Sequence, residues 1–410
     1  MSTSTSSHGQ APHGFQVLAG SSLGSWILLA FLGLFAAFGA LAALYMEHNG
    51  HWVTGMNNQV PWGLPHVCAV FLIVASTGAL NIASLGSVFS KDDYKPLGRL
   101  SALSAMAVQA GGLCILLLDL GRSDRLVVAM TNYNFTSIFA LNIILYNGFF
   151  AIVSTYLYLM MEPRLEPFYH PVAFSAFIWR LIVTTGTGSI FGLMISRPGY
   201  HSAIMAPMFI SMSFSFGLAI FVVILTFLKV GSGRPMASEQ LRHRLLVLLA
   251  CFVAVTLYMV VMQHVTSFYS AERRDFERFI LLDGGNFPTL LWGGFGLIGS
   301  VLPLLVLLVP FSAVGTLARL FIASVGVIAG GISLMYVIII GGESFPLDLF
   351  PGKVVSSSFF DGIVASYSPT VPEVFLALGG FAIVGLIVTV GMWVLEVLPG
   401  RQSGGEGHGS

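Results

Sequence analysis

The amino-acid sequence predicts an all-α integral membrane protein of about ten transmembrane helices, arranged as two four-helix bundles plus flanking helices. Composition is the first observation. Of 410 residues, 56% are apolar and only 9% charged, where a soluble domain carries about 25% charged residues. The 18 Lys and Arg are matched by 18 Asp and Glu, so the chain lacks the basic footprint of a nucleic-acid binder and the polarity of a disordered one. The second observation is run length. About 20 consecutive apolar residues are needed to cross a bilayer as a helix, because lipid offers the backbone no hydrogen-bond partner. Ten such runs are present, at 25–46, 64–89, 98–119, 136–161, 172–195, 203–228, 243–267, 287–309, 313–340 and 373–398.

The elements follow in order. The stretch before the first run is rich in Ser, Thr, Gly and His and has no Lys or Arg. It lacks the basic start of a secretory signal, so 1–24 reads as a retained, flexible cytoplasmic tail. The transmembrane domain runs over 25–398, and 399–410 reads as a flexible Gly-rich tail. The second run opens on Pro61-Trp62-Gly63-Leu64-Pro65-His66. The third closes on Asp119-Leu120-Gly121-Arg122-Ser123-Asp124-Arg125. Tyr133 and Asn134 lead into the fourth, which carries Asn142, Tyr146 and Asn147. The fifth holds Arg180, Thr184 and Thr187 on one face. The knot Ser196-Arg197-Pro198-Gly199-Tyr200-His201 turns the chain into the sixth.

An even number of spans puts both termini on one side. That side collects Lys91, Lys95, Arg99, Arg164, Lys229, Arg234, Arg242, Arg244, Arg319 and Arg401. The other has Arg122, Arg125, Arg197, Arg273, Arg274, Arg278 and Lys353. The positive-inside rule makes the termini cytoplasmic, in a bacterial inner membrane. The hydrophilic segments 268–286 and 341–372, with Glu272, Asp275, Glu277, Asp283, Glu343, Asp348 and Asp361, then face the periplasm. They read either as solvated loops or as docking surfaces for other subunits.

His66, Asp119, Tyr133, Asn142, Tyr146, Arg197 and His201 all fall near the periplasmic ends of consecutive spans. Polar groups are expensive in lipid and belong in a bundle interior or cavity. A quinone headgroup has two carbonyl oxygens that need donors, and a quinol needs bases to take its protons. His66 and Asp119 suit the bases. Asn142, Tyr146, Tyr133, Arg197 and His201 suit the binding groups. Each has a plain alternative: a loop bond for His66, an ion pair of Asp119 with Arg122 or Arg125 that fixes a turn, snorkelling for Arg197, an aromatic belt for Tyr133, and interhelical bonding for Asn142 and Tyr146. Arg180, Thr184, Gln109 and Asn147 form either a polar path for protons or a stitch between helices. Arg180 lies close enough to the start of its run to snorkel instead.

Cys68, Cys114 and Cys251 lie in separate apolar runs with no CxxC or CxxCH, so the chain is expected to hold neither an iron–sulfur cluster nor attached haem. Bis-histidine haem needs paired histidines at matched depth on facing helices. His66 and His264 make one conceivable pair, while His170 and His243 lie too shallow for another. Gly186-Thr187-Gly188 is not a nucleotide fingerprint, and Met205, Met208 and Met212 read as packing. Gly188 with Gly192, and Gly326 with Gly330, have the spacing of close helix contacts. A faint internal echo, His66 to Gly78-Ala79 and His201 to Gly217-Leu218-Ala219, suggests a parallel duplication.

Trp62-Gly63-Leu64-Pro65-His66 running into Thr77-Gly78-Ala79, Leu118-Asp119-Leu120-Gly121-Arg122-Ser123-Asp124-Arg125, and Arg197-Pro198-Gly199-Tyr200-His201 followed by Pro207-Met208-Phe209 together resemble the NrfD/PsrC family of membrane subunits. The likeness covers about 60–400 and leans toward the HybB/DsrP branch. It implies a quinone- or quinol-binding subunit without haem or iron–sulfur cluster of its own, taking menaquinone or ubiquinone near the periplasmic face. It also implies a periplasmic ferredoxin-like iron–sulfur partner, and other membrane and cytochrome subunits of a Dsr-like complex of sulfur metabolism. His66 would be the quinone-side histidine, Asp119 the turn aspartate and Tyr146 a fourth-span hydroxyl. The rival reading is a secondary transporter, which suits ten helices and an internal repeat but places acidic residues near the midplane.

Overall fold

A computed structural model describes residues 14–18, 23–232, 237–309, 314–347 and 362–400. Arg234, Asp348, Lys353, Asp361, Arg401 and most of both expected tails lie outside the described residues. Ten helices are long and apolar enough to cross a membrane: α1 Leu23–Asn49, α2 Leu64–Ser87, α3 Asp92–Leu118, α4 Ile138–Met161, α5 Pro163–Gly192, α6 Met205–Val230, α7 Glu239–Tyr269, α8 Thr289–Leu308, α9 Thr316–Ser344 and α10 Val371–Val394. Helix α5 starts earlier than hydropathy alone suggests, because Glu162 caps the turn before it and Pro163 opens it.

The helices sort as expected. Helices α2–α5 form one four-helix bundle and α6–α9 the other, while α1 and α10 pack on each other and flank α3. The bundles meet chiefly along α2 and α6, and Gly78 and Gly217 are the reason. A Cβ on either glycine would overlap the backbone of the other helix. The two halves of the internal echo therefore face each other at the seam, with α2 and α6 running in the same direction. Gly188 against Ala206 and Gly326 against the Ile298 carbonyl make the expected close contacts. Gly299 lies against Gly330, where α8 winds as a π-helix over Thr289–Val301.

One face of the bundle carries the α2, α4, α6, α8 and α10 starts. The opposite face is tied by polar contacts. Arg99 donates to the Glu396 carbonyl at 2.9 Å and to that of Met160, and its guanidinium lies over Phe15 at 3.7 Å. Arg244 pairs with Asp93, and Arg319 donates to the carbonyls of Val306, Leu307 and Val309 at the α8 end. The edges of the expected tails are ordered here. Phe15–Gln16 pairs antiparallel with Leu398–Pro399, because the turn after α10 leaves backbone groups that need partners.

Candidate functional site

The chain leaves α1 through His51, crosses to α2, and returns to the same end at Asp119. Helix α2 starts at Leu64 with Pro65 in its first turn, which costs no helical hydrogen bond. That puts His66 at the bundle end with its ring half-buried. Asp119 caps the C-terminus of α3. Its side chain is fully buried, and its Oδ2 lies 2.7 Å from Nδ1 of His66. The contact has ion-pair length, but the ring does not aim its N–H along it. Both Asp119 oxygens and His66 Nδ1 therefore lack an aligned hydrogen bond. His51 completes the cluster. Its Nε2 is 2.9 Å from the Asp119 backbone carbonyl and 3.9 Å from Oδ1. A carboxylate at a helix C-terminus is disfavoured by the macrodipole, and here titratable histidines, not arginines, stand beside it.

Trp62 roofs the cluster. Its ring stacks on His66 with centroids 6.1 Å apart, and it meets Phe139 of α4 and Phe191 of α5 edge-on. Phe139 is exposed where lipid would lie. Along the α4–α5 seam inward from this rim, Asn142 donates to the Gly186 carbonyl at 3.1 Å and keeps its own Oδ1 unpaired and buried. Tyr146 lies a further turn in, seven residues from Phe139 or about 10 Å deeper. Its hydroxyl meets Thr187 Oγ1 at 3.1 Å. His66 and Asp119 are thus brought together, and Trp62 links them to the seam that carries Asn142 and Tyr146. No contact among the described residues joins Tyr146 directly to His66.

Several expectations are corrected. Arg122 does not pair with Asp119. It pairs with Asp124 at 3.0 Å, and that bond, with Arg125 adding to the field, holds the exposed Asp124 carboxyl below its ordinary range. The reason is geometric: Asp119 ends a helix and points inward, while Arg122 and Arg125 follow in a solvent-facing turn. His201 is exposed, with a positive φ of 57°, and is held by its backbone, whose N–H donates to the Phe191 carbonyl at 2.9 Å and whose carbonyl accepts from Arg273. Tyr133 stacks on exposed Phe135 and makes no contact with the cluster. Asn147 is exposed and donates to its own helix at Ile143, so it does not extend a polar path.

Arg197 does not snorkel. It is half-buried and donates to the Glu343 and Gln59 carbonyls at 2.9 and 2.8 Å, bordering a cavity of about 220 Å³. Arg180 does not snorkel either. Twelve residues from the α5 end (192 − 180), or about 18 Å, it sits at mid-membrane depth and 4% exposed. It donates to Asn81 and to the Thr77 carbonyl, and lies over Phe177 and Phe214. Thr184 meets Thr77 at 2.8 Å, and Gln109 takes the Ser76 hydroxyl at 2.5 Å. These are contacts between helices in the core of the first bundle, except that Phe214 belongs to α6 across the seam.

Three acidic residues read as loop groups, or not singled out, prove buried. Glu343 ends α9 and accepts the Trp62 N–H at 3.3 Å. Glu277 meets His264. Glu373 accepts from Gly55 N, Tyr367 Oη, Thr370 N and Thr370 Oγ at 2.6–2.9 Å. Tyr367 in turn accepts the Leu64 N–H, an orphan donor of the first α2 turn. Outside the spans, burial followed by the Glu343 charge pushes the Tyr200 phenol well up, and burial followed by the bond to Glu373 does the same to Tyr367. The Thr370-Val371-Pro372-Glu373 pattern is a capping-box signature that could have flagged Glu373. Nothing in the sequence around His51 could have flagged it.

The description "Polysulphide reductase, NrfD" matches residues 52–346, from just before α2 to just after α9. The matched stretch contains both four-helix bundles and leaves α1 and α10 outside. The chain is similar to the Hdr-like menaquinol oxidoreductase integral membrane subunit of Archaeoglobus fulgidus, 28% identical over 94% of this chain and 97% of that protein. It is also similar to a putative dimethyl sulfoxide reductase membrane subunit of Halobacterium salinarum, 25% identical over 90% and 91%. A polysulfide reductase polypeptide of Wolinella succinogenes is 23% identical over 70% of this chain and 96% of its own length.

Proposed function

The chain belongs to the polysulphide reductase NrfD family, and from that premise we propose that it is the quinol-handling membrane subunit of a multi-subunit redox complex. The buried Asp119 carboxylate between His66 and His51, under Trp62 and beside the α4–α5 seam, carries the reading. The unpaired buried atoms are a fit test that these residues pass. Asp119 Oδ1 and Oδ2 and Asn142 Oδ1 are acceptors without donors, and buried acceptors are rarely left so without a ligand or water.

A bound quinol supplies two electrons and two protons. The chain's part is binding and proton acceptance. His66, turned toward Asp119 by Nδ1, leaves Nε2 to receive a proton from a hydroxyl, and Asp119 stabilises the imidazolium that results. Asn142 offers an acceptor and Tyr146 a hydroxyl further along the seam. Trp62, Phe139 and Phe191 supply flat apolar walls.

The face bearing the cluster is the periplasmic one by the distribution of Lys and Arg, with both termini cytoplasmic in an inner membrane. Electrons pass to a periplasmic ferredoxin-like iron–sulfur subunit. The name of the archaeal relative makes a menaquinol the first ligand to try. The chain assembles with further membrane and cytochrome subunits, as in a Dsr-like complex of sulfur metabolism; its likeness to a polysulfide reductase polypeptide supports this.

The test is quinone extraction from the purified complex, with and without His66→Ala. Quinone in the wild type and its loss in the variant support the reading. Equal quinone in both, or none in either, overturns it.

A further inference from the structure

The second bundle also carries a buried histidine–carboxylate pair, built from different elements. His264, near the end of α7, puts Nδ1 2.7 Å from Glu277 Oε2, here as an aligned hydrogen bond. The carboxylate side chain is 2% exposed and the ring 20%, against 0% and 15% for Asp119 and His66. Both pairs sit at the same end of the molecule. Each lies where the first helix of its bundle starts and the second ends: α2 and α3 in one case, α6 and α7 in the other. Each carboxylate also shuns the arginines next to it in the chain. Arg273 goes to the His201 carbonyl and Arg278 to Asp283 at 2.7 Å. Glu277 turns inward to a histidine, as Asp119 does.

A small cavity of about 30 Å³ adjoins the pair, bordered by His264, Glu277 and Gln263 and otherwise by apolar groups such as Met205, Met208 and Val260. That volume holds a water, which needs about 10–15 Å³, and has the polar partners a water requires. It does not hold a quinone ring. Gln263 is already anchored, accepting from Ser202 at 2.7 Å and donating to Ser267 at 3.2 Å.

We propose that His264 and Glu277 form a second proton-accepting site of this chain, fed by water in the adjacent cavity and separate from the His66–Asp119 site. With Nδ1 donating to Glu277, the basic nitrogen is Nε2. A proton arriving through the water binds there, and the neutral histidine with its carboxylate becomes an imidazolium–carboxylate pair. No electron moves and no other bond changes. The surrounding charged and titratable groups are Glu272, Arg273, Arg274, Asp275 and Arg278 on the short helical stretch 271–278 beside it, Tyr200, whose hydroxyl donates to the Ile339 carbonyl at 2.9 Å, and Glu343 at the end of α9, which takes the Trp62 N–H. Among the described residues, no ion pair joins any of these to His264 or Glu277.

The experiment is a nitrogen-15 histidine NMR titration of the full chain in lipid nanodiscs, with His264→Phe assigning the signal. The expected His264 signal carries its proton on Nδ1 and becomes doubly protonated as pH falls. Glu277→Gln removes the carboxylate that holds the proton on Nδ1, so the neutral ring becomes a mixture of both tautomers. Val260→Phe fills the cavity and slows exchange of the ring proton with solvent about tenfold. A signal that keeps one form from about pH 5 to about pH 9 overturns the site. So does a tautomer unmoved by Glu277→Gln, and exchange unmoved by Val260→Phe overturns the water route. None of these readouts depends on quinone at His66, so the two proposals fail separately.

Discussion

Asp119→Asn separates a proton-handling aspartate from one that merely fixes a turn. The substitution keeps shape and removes charge. In the native site the carboxylate lies 2.7 Å from His66 Nδ1, with its side chain fully buried. At an effective dielectric of about 20, charge centres about 4 Å apart attract by about 4 kcal/mol when the histidine is protonated. Burying the carboxylate costs several kcal/mol, which offsets most of that attraction. No arginine stands by to lose its partner, and neither oxygen has an aligned bond to break. The net change in stability is therefore small, within about 1 kcal/mol. The rate is another matter. Without the carboxylate, His66 loses the charge that stabilises its protonated form. General-base catalysis contributes about a hundredfold or more, or about 2.7 kcal/mol of barrier. The assay is quinol oxidation by the assembled complex, with bound quinone and thermal unfolding measured on the same preparation. The expected result is a fall in turnover of about a hundredfold at unchanged unfolding temperature. Turnover within about threefold of wild type at equal quinone content would refute the reasoning, as would a large loss of stability.

Tyr367→Phe removes both the donor to Glu373 and the acceptor of the Leu64 N–H, each at 2.6 Å. It should cost about 1–3 kcal/mol, seen as a lower unfolding temperature in detergent. Gly217→Leu would drive a side chain into the backbone of α2 at Gly78 and should abolish folded protein by size-exclusion chromatography. Gly293→Ala, which meets open space, should not. Cysteines introduced at Asp275 and at Lys95 should label from opposite sides of the membrane, with Asp275 on the periplasmic one. The isolated chain should show no b-type haem band in a reduced-minus-oxidised spectrum, because bis-histidine ligation needs a pair on facing helices, whereas His66 opens α2 in one bundle and His264 lies near the end of α7 in the other.

Hydropathy determined the ten spans, because a helix in lipid must be long and apolar wherever it packs. The echo of Gly78 in Gly217 was visible in the sequence, but that the two meet at the seam between bundles, where only glycine permits the backbones to approach so closely, was decided by packing. The sequence pointed correctly to His66 and Asp119 as polar groups at one end of the bundle. What it could not decide was which polar group meets which. By sequence distance Asp119 belongs with Arg122 and Arg125, and Glu277 with Arg273, Arg274 and Arg278. In three dimensions a residue capping a helix or lying over the bundle can point inward, while the turn beside it points to water. Side chains separated by two residues can then lie in different solvents. His51 reaches Asp119, Glu343 reaches Trp62 and Glu373 reaches Gly55 only because α1 and α9 end, and α10 begins, beside the α2 start. Transfer out of water is a property of each residue and can be read from composition. The pairing that makes a buried charge tolerable depends on direction and distance, and the packed helices alone fix those.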